Sequence, residues 1–441
     1  MKRLALLLFL GSAGAISLPQ YLAPLSHNPN LLAAQEQVLA AEQELLALKS
    51  PIALQASGGG SLLNVAPPPA SCSAPPPPGL PFNPNALNPA CASLPTSGEQ
   101  VNLSLTLTPI PLGVVGGRVA QAEVSLARAQ LAYRQALTGL EVQALLANEQ
   151  VRLAEQGLQV AQEGVQVAQE GLQATQIQLH RGGATPLQLA EAQESLAQAK
   201  ANQAQAEESL SLAQSNLESL LGTAEAPALE VPLPAPGTPA SVQEAQLAVE
   251  QAQQSLYQAE WSALPVLSAS YTNNTSPTTS YSLSIQSETL QPQIGFTYQN
   301  PGTQEPQSRI QSEVQVGLSL TLSPGVFEGL RSAQAALQAA QASLKAAQTQ
   351  AQLQEASLMA SFHQAERALA LAQTAFSLAQ ENLKDAEARA RLGLISPLEL
   401  AQTSLKLYQA QASLAQAELS KLQSILNFYT FYAEPPVEVL P

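Results

Sequence analysis

Aromatic side chains make up only 4% of this 441-residue chain and charged ones 12%, and Lys plus Arg are outnumbered 18 to 33 by Asp plus Glu. So few aromatics leave little material for a thick globular core. Small apolar residues mixed with Gln suit closely packed long helices better. A formal charge of −15 argues against nucleic acid as a partner, because that binding rests on neutralising phosphates with Lys and Arg. Three scattered histidines, no Gly-rich phosphate loop and no nucleophile motif point to a protein that is not an enzyme and needs no metal or cofactor. His363 and Glu366 form an i, i+3 pair without a third ligand, which reads as surface. After the first residues no run of 18 apolar side chains occurs, so no transmembrane helix is expected.

Cysteine occurs twice, as Cys72 and Cys91, both within APPPASCSAPPPPGLPFNPNALNPACAS. No His or further Cys stands near enough for a zinc site. A pair inside one exported loop is most simply a disulfide in an oxidising compartment, with two free thiols as the alternative. Export is read from MKRLALLLFLGSAGA: Lys2 and Arg3, an apolar run from Leu4 to Leu10, then Ala13-Gly14-Ala15. That is the pattern of a secretory signal over 1–15, too short to span a bilayer.

What the chain does contain, it contains twice. VNLSLTLTP at 101–109 returns as VGLSLTLSP at 316–324, with seven of nine residues the same. GGATPLQLA at 182–190 lies over GLISPLELA at 393–401, and AQAE at 204–207 over AQAE at 415–418. Helix, strand, loop, strand, long helix, tip and helix recur in that order, which predicts a tandem repeat over 16–221 and 240–432. A non-helical segment, 222–239, joins the copies, and a tail, 433–441, follows. From strand-end Pro to tip Pro the copies span 77 and 73 residues (Pro109 to Pro186, Pro324 to Pro397); the difference of four is about one helical turn.

QGLQVAQ, EGVQVAQ and EGLQATQ follow one another from Gln156 to Gln176. Leu158, Ala161, Val165, Ala168, Leu172 and Thr175 hold the a and d positions, and a strict seven-residue repeat imposes a left-handed supercoil. Gly157, Gly164 and Gly171 add a second stripe, so the helix can touch neighbours on both sides. The long helices, predicted over about 118–180 and 326–391, each reach about 95 Å. The helices predicted over 187–221 and 240–261 together supply roughly 85 Å, enough to stack end to end beside one long helix.

In the repeated strands Val101, Leu103, Leu105 and Leu107 face one side and Asn102, Ser104, Thr106 and Thr108 the other; Val316, Leu318, Leu320 and Leu322 repeat the pattern. Nine residues at 45° tilt give a height of about 21 Å, close to the apolar band of an outer-membrane barrel. A soluble sheet with one face on a core is the alternative. The polar stretch from Asn273 to Ser312 is read as a loop, which leaves four strands per chain. Open sheet edges are not tolerated in lipid, so such a sheet closes only between copies: three copies would give twelve strands and twelve helical staves. Trp261 reads as an interfacial or packing aromatic where a helix meets a strand. Phe428, Tyr429, Phe431 and Tyr432 read as packing for the last helix.

Two copies of strand, long helix, G-x-x-[ST]-P-L and helix behind a signal peptide resemble the TolC-like outer-membrane efflux protein family. SHNPNLLAA at 26–34 is similar to the family's opening helix, and GLISPLELAQTSLKLYQAQ at 393–411 resembles its second tip. The resemblance implies a mainly α homotrimer: a 12-stranded β-barrel in outer-membrane lipid and a 12-helix barrel extending through the periplasm. It implies a passive exit duct for efflux or secretion. An inner-membrane pump and a periplasmic membrane-fusion adaptor would dock at the tips, formed by Gly182, Thr185, Pro186, Leu187, Gly393, Ser396, Pro397 and Leu398. The family's acidic periplasmic gate falls on Glu399 and Gln402, with Gln188 and Glu191 as their complement in the first copy. In a trimer Glu399 and Glu191 would each form a ring of three carboxylates, raising one another's pKa and attracting cations. The same acids also fit the first turns of helices, where negative charge is favoured anyway. Arg181, Arg389 and Arg391, with His180, would either pair with tip acids or cap helix C-termini. A periplasmic coiled-coil adaptor and a structural stalk are the competing readings. The adaptor would carry one hairpin rather than two, and the stalk does not explain the paired tips.

Overall fold

The computed structural model describes residues 17–62, 97–108, 113–276, 279–300, 312–320 and 324–437. The signal segment 1–15, Cys72 and Cys91 lie outside them.

A short helix, α1 (Leu18–Leu22), and a 3₁₀ turn, Ala23–His27, lead into α2 (Pro29–Lys49). The Asn28 Oδ1 accepts the Asn30 N–H at 2.9 Å, satisfying one of the donors a helix start leaves over. Strands β1 (Ile52–Leu62) and β2 (Ser97–Leu107) precede α3 (Gly113–His180) and α4 (Pro186–Leu221). The second copy runs through α5 (Ala240–Ser262), β3 (Val266–Ser276), β4 (Thr279–Gln286), β5 (Gln293–Asn300), β6 (Ser312–Ser319), α6 (Pro324–Arg391) and α7 (Pro397–Tyr432). Both long helices have 68 residues and both returning helices 36. The four extra residues of the first copy therefore precede α3. The difference in Pro-to-Pro spacing thus does not lengthen the first long helix by a turn.

The expectation of four strands is corrected. Among the described residues the sheet has six, all antiparallel, in the order β1-β2-β5-β4-β3-β6. The stretch read as one polar loop contains a hairpin, β4–β5, inserted between β2 and β3. Tyr281, Leu283 and Ile285 alternate with serines, and Ile294, Phe296 and Tyr298 alternate in the returning strand, the period that pleating requires. Strand β6 also begins earlier than the repeated motif and ends at Ser319.

The chain divides into two compact units, each drawing on both repeats. One comprises the described residues of Ala41–Leu126 and Ala248–Gln341, including the sheet. The other comprises those of Met1–Ala40, Ala127–Leu247 and Ala342–Pro441 and holds the main apolar core. There Leu22, Leu145, Leu217 and Leu426 are almost fully enclosed, with Val151 and Tyr429 beside them. Phe428, Phe431 and Tyr432 fill a second cluster with Val242 and Ala351, so the aromatic end of α7 does the packing expected of it. The joining segment has no helix or strand over 222–239 and is held by side chains instead. The Tyr429 hydroxyl donates to the Pro232 carbonyl at 2.9 Å and the Asn148 amide to that of Pro227 at 3.0 Å. Along the heptad the a and d residues are half-buried to buried. The glycine stripe has no close neighbour among the described residues: a Cβ at Gly157 or Gly164 would meet nothing within 4 Å, and one at Gly171 only the Leu398 side chain at 3.9 Å.

Candidate functional site

Three places carry the chemistry of this chain: the sheet, the helical tips and one buried carboxylate.

Register makes the sheet two-faced. One ladder row reads Leu54, Leu105, Ile294, Leu283, Tyr271, Val314 across β1, β2, β5, β4, β3 and β6. The row beside it reads Gln55, Ser104, Gly295, Ser282, Thr272, Glu313. Since opposed residues share a face, one face is apolar from edge to edge, and the other carries Ser, Thr, Asn and Gln. The apolar face is not covered within the chain: Leu54 is 73% exposed, Leu283 50%, Val314 71% and Leu318 72%. Patches of this extent mark contact with another protein or with lipid. Among the described residues no helix is long and apolar enough to cross a membrane, which says nothing of strands.

At one end of the sheet, contacts tie the hairpin to the start of α3. The Val114 N–H, an orphan donor of the first helical turn, donates to the Glu288 carbonyl at 3.2 Å. The Leu107 N–H donates to the Pro292 carbonyl at 2.9 Å, and the Gln291 amide to the Thr108 hydroxyl at 2.6 Å. Gly113 has φ 62°, and a Cβ there would collide with the Glu288 carbonyl and approach the Trp261 ring. Trp261 itself packs edge-on against Tyr257.

The two tips share one backbone. Gly182 and Gly393 take φ 76° and 73°. In each, the glycine N–H bonds three residues back (to Leu179 and Ala390), and the next N–H reaches five back (Gly183 to Gln178, Leu394 to Arg389). That is a Schellman ending, which favours glycine because its left-handed residue meets no Cβ. Each returning helix then begins on a hydroxyl cap with Pro at its first position. The Thr185 hydroxyl accepts the Gln188 N–H while the Gln188 side chain accepts the Thr185 N–H; the Ser396 hydroxyl accepts the Glu399 N–H. Leu187, Leu392 and Leu394 are left 69 to 73% exposed.

Gln188 is thus engaged in a capping box. Glu191, Glu399 and Gln402 are exposed, and their side chains take no hydrogen-bond or ionic partner among the described residues. Arg389 pairs with Asp385 at 2.8 Å and Arg391 with Glu387 at 3.9 Å, each one turn back on its own helix. The His180 ring bonds the Gln176 carbonyl, while Arg181 makes no ion pair among the described residues. His363 and Glu366 meet at 3.4 Å on the surface.

Sequence reasoning missed Glu141. It lies wholly buried in α3, where its Oε2 accepts the Val437 N–H at 3.0 Å and its Oε1 finds no protein partner. A cavity of about 120 Å³ adjoins it, lined by Leu22, Leu25, Tyr133 and Leu137 among others. Burial pushes its pKa up to about 7 against the pull of the Val437 N–H. No local pattern singles it out, since GLEVQALL reads like the rest of the helix.

Residues 93–223 match the family described as outer membrane efflux protein. No curated protein matches the chain. Among solved structures, the outer membrane protein VceC from Vibrio cholerae is similar with a TM-score of 0.65 at 17% identity, over 95% of this chain and 97% of that one. The CmeC outer membrane channel of Campylobacter jejuni gives 0.64 at 13%, over 94% and 85%. The open-state MtrE channel of Neisseria gonorrhoeae gives 0.58 at 16%, over 95% and 89%. The resemblance carried by the two tips and two strands is therefore borne out: residues 93–223 carry the outer membrane efflux protein signature, and nearly the whole chain has the fold of TolC-like outer-membrane channels.

Proposed function

We propose that this chain is the exit duct of an efflux or secretion system in the outer membrane, with a helical extension in the periplasm. Three copies close the sheet into a barrel, and a periplasmic adaptor and an inner-membrane pump meet the helical tips. The observation that carries this reading is the uncovered apolar face running through all six strands, backed by a polar face of mostly Ser, Thr, Asn and Gln. Lipid accepts the first and a water-filled lumen the second. The fold likeness to outer-membrane channels and the family match support the same reading. A conduit needs no catalytic group, because the pump supplies the energy. An adaptor would carry one hairpin, whereas this chain has two of equal length. The exposed tip leucines are suited to knobs-into-holes contact with another helical hairpin.

Light scattering on detergent-extracted protein from fractionated membranes tests the reading. A trimer from the outer membrane is the expected result. A monomer or dimer that stays soluble without detergent overturns it.

At the tips, Glu399 and Glu191 act as rings of carboxylates that draw cations into a narrow mouth. Changing both to Gln is expected to lower the cation-over-anion preference of the reconstituted trimer severalfold while leaving its assembly intact. An unchanged selectivity would remove them from the pathway and leave them as helix-start acids.

A further inference from the structure

The hairpin β4–β5 is built into the sheet, and this changes how copies can close around it. It pairs on both sides, β5 with β2 and β4 with β3, in unbroken register except for a bulge near Ser276. Its turn is fastened to the start of α3 through Glu288 and to the end of β2 through Gln291 and Pro292. Gly113 is the residue that permits the approach. Two strands added together keep every neighbour antiparallel and leave the outer edges, β1 and β6, running in opposite directions. Strand β6 of one copy can then pair antiparallel with β1 of the next.

The sheet is also staggered in one direction, as closure into a barrel demands. Measured from the Leu54–Val314 row, β1 reaches eight positions up to Leu62 and two down to Ile52. Strand β6 reaches two up to Ser312 and five down to Ser319. A shift of six positions between copies sets the whole of β6 opposite 55–62 of the next β1. The shift is even, so apolar faces stay together. Six positions per six strands corresponds to a tilt of about 35°, within the range of outer-membrane barrels.

Resting on the trimeric duct proposed above, we propose that the barrel has eighteen strands rather than twelve, with β6 of each copy paired to β1 of its neighbour. At that tilt the backbone ring is about 34 Å across, against about 22 Å for twelve strands. Barrels of this size hold an aqueous channel. Its lining here is the Ser, Thr, Asn and Gln face, and Glu313 is the one charge on its two central rows. The barrel therefore does not sieve the cargo; restriction by size falls to the helical tips.

Electron microscopy of the wild-type protein reconstituted in lipid vesicles tests this directly. A threefold ring of eighteen strands about 34 Å wide is expected. A ring of twelve overturns the proposal while leaving the duct intact, and the absence of any threefold ring overturns both. Disulfide trapping in a Cys72→Ser, Cys91→Ser background gives a second reading. Ala56→Cys with Leu318→Cys is expected to link neighbouring copies into a covalent trimer. Leu105→Cys with Tyr271→Cys is expected not to bond, because three strand spacings, about 14 Å, separate them. A Leu105–Tyr271 bond would place β2 beside β3, with the hairpin outside the wall, and would sink the eighteen-stranded barrel.

Discussion

Replacing Gly113 by alanine is expected to detach the β4–β5 turn from α3 and to cost the assembled protein most of its heat resistance. Two effects combine. A side chain at φ 62° costs about 1–2 kcal/mol for an L-residue. The new Cβ would also occupy the space of the Glu288 carbonyl, so the backbone of the turn must move and the bond from Val114 is lost. Val114 is half-buried, so its unpaired donor adds up to about 1 kcal/mol more. The check is the temperature at which the detergent-resistant oligomer dissociates, measured beside hydrogen exchange at the Val114 amide. Glu288→Ala serves as the control, because the contact uses the backbone oxygen and survives the change. Should Gly113→Ala dissociate at the wild-type temperature with Val114 still protected, the turn is not anchored as described.

The second large effect concerns Glu141 and pH. Its folded pKa of about 7 stands above the ordinary 4.5, so the folded state binds a proton that the unfolded state releases. A raised acid pKa means that stability is greatest below 4.5 and falls as pH rises towards 7; the shift is worth about 3 kcal/mol. Glu141→Gln keeps an oxygen for the Val437 N–H and removes the charge. It is expected to match wild type near pH 5 and to exceed it by about 2–3 kcal/mol at pH 8. Guanidinium unfolding of the extracted protein, followed by circular dichroism from pH 5 to 8, reads this as a difference in slope. Parallel pH profiles for the two proteins would show that Glu141 is already neutralised by its surroundings.

Most helical boundaries were legible because their signals are local. Thr185-Pro186 with Gln188, and Ser396-Pro397 with Glu399, place a hydroxyl cap and a first-turn proline where the helices begin. Gly182 and Gly393 stand where the preceding helices stop. The sheet was half legible. Internal symmetry suggested two strands per copy, and that expectation concealed the hairpin in the second copy even though YSLSIQ and QIGFTY each alternate. Six-residue alternations among Ser, Thr and Asn are weak signals alone. What raises them to strands is pairing with β2 and β3, which for β5 means partners up to 201 positions distant in the chain (Glu99 with Asn300). The gate acids illustrate the opposite limit: a single chain leaves Glu191 and Glu399 exposed, and only threefold assembly would bring their carboxylates together.

The sequence by itself determined the duplication, the form of the helical tips and the two faces of each repeated strand. All of these depend on capping, turn chemistry and periodicity within a few residues. The tertiary structure alone decided that β4 and β5 enter the sheet, that Gly113 must be glycine, and that Glu141 is enclosed against Val437. Each of those depends on which distant segment arrives as a neighbour. That is fixed by the burial and hydrogen bonding of the whole chain, which no local pattern records.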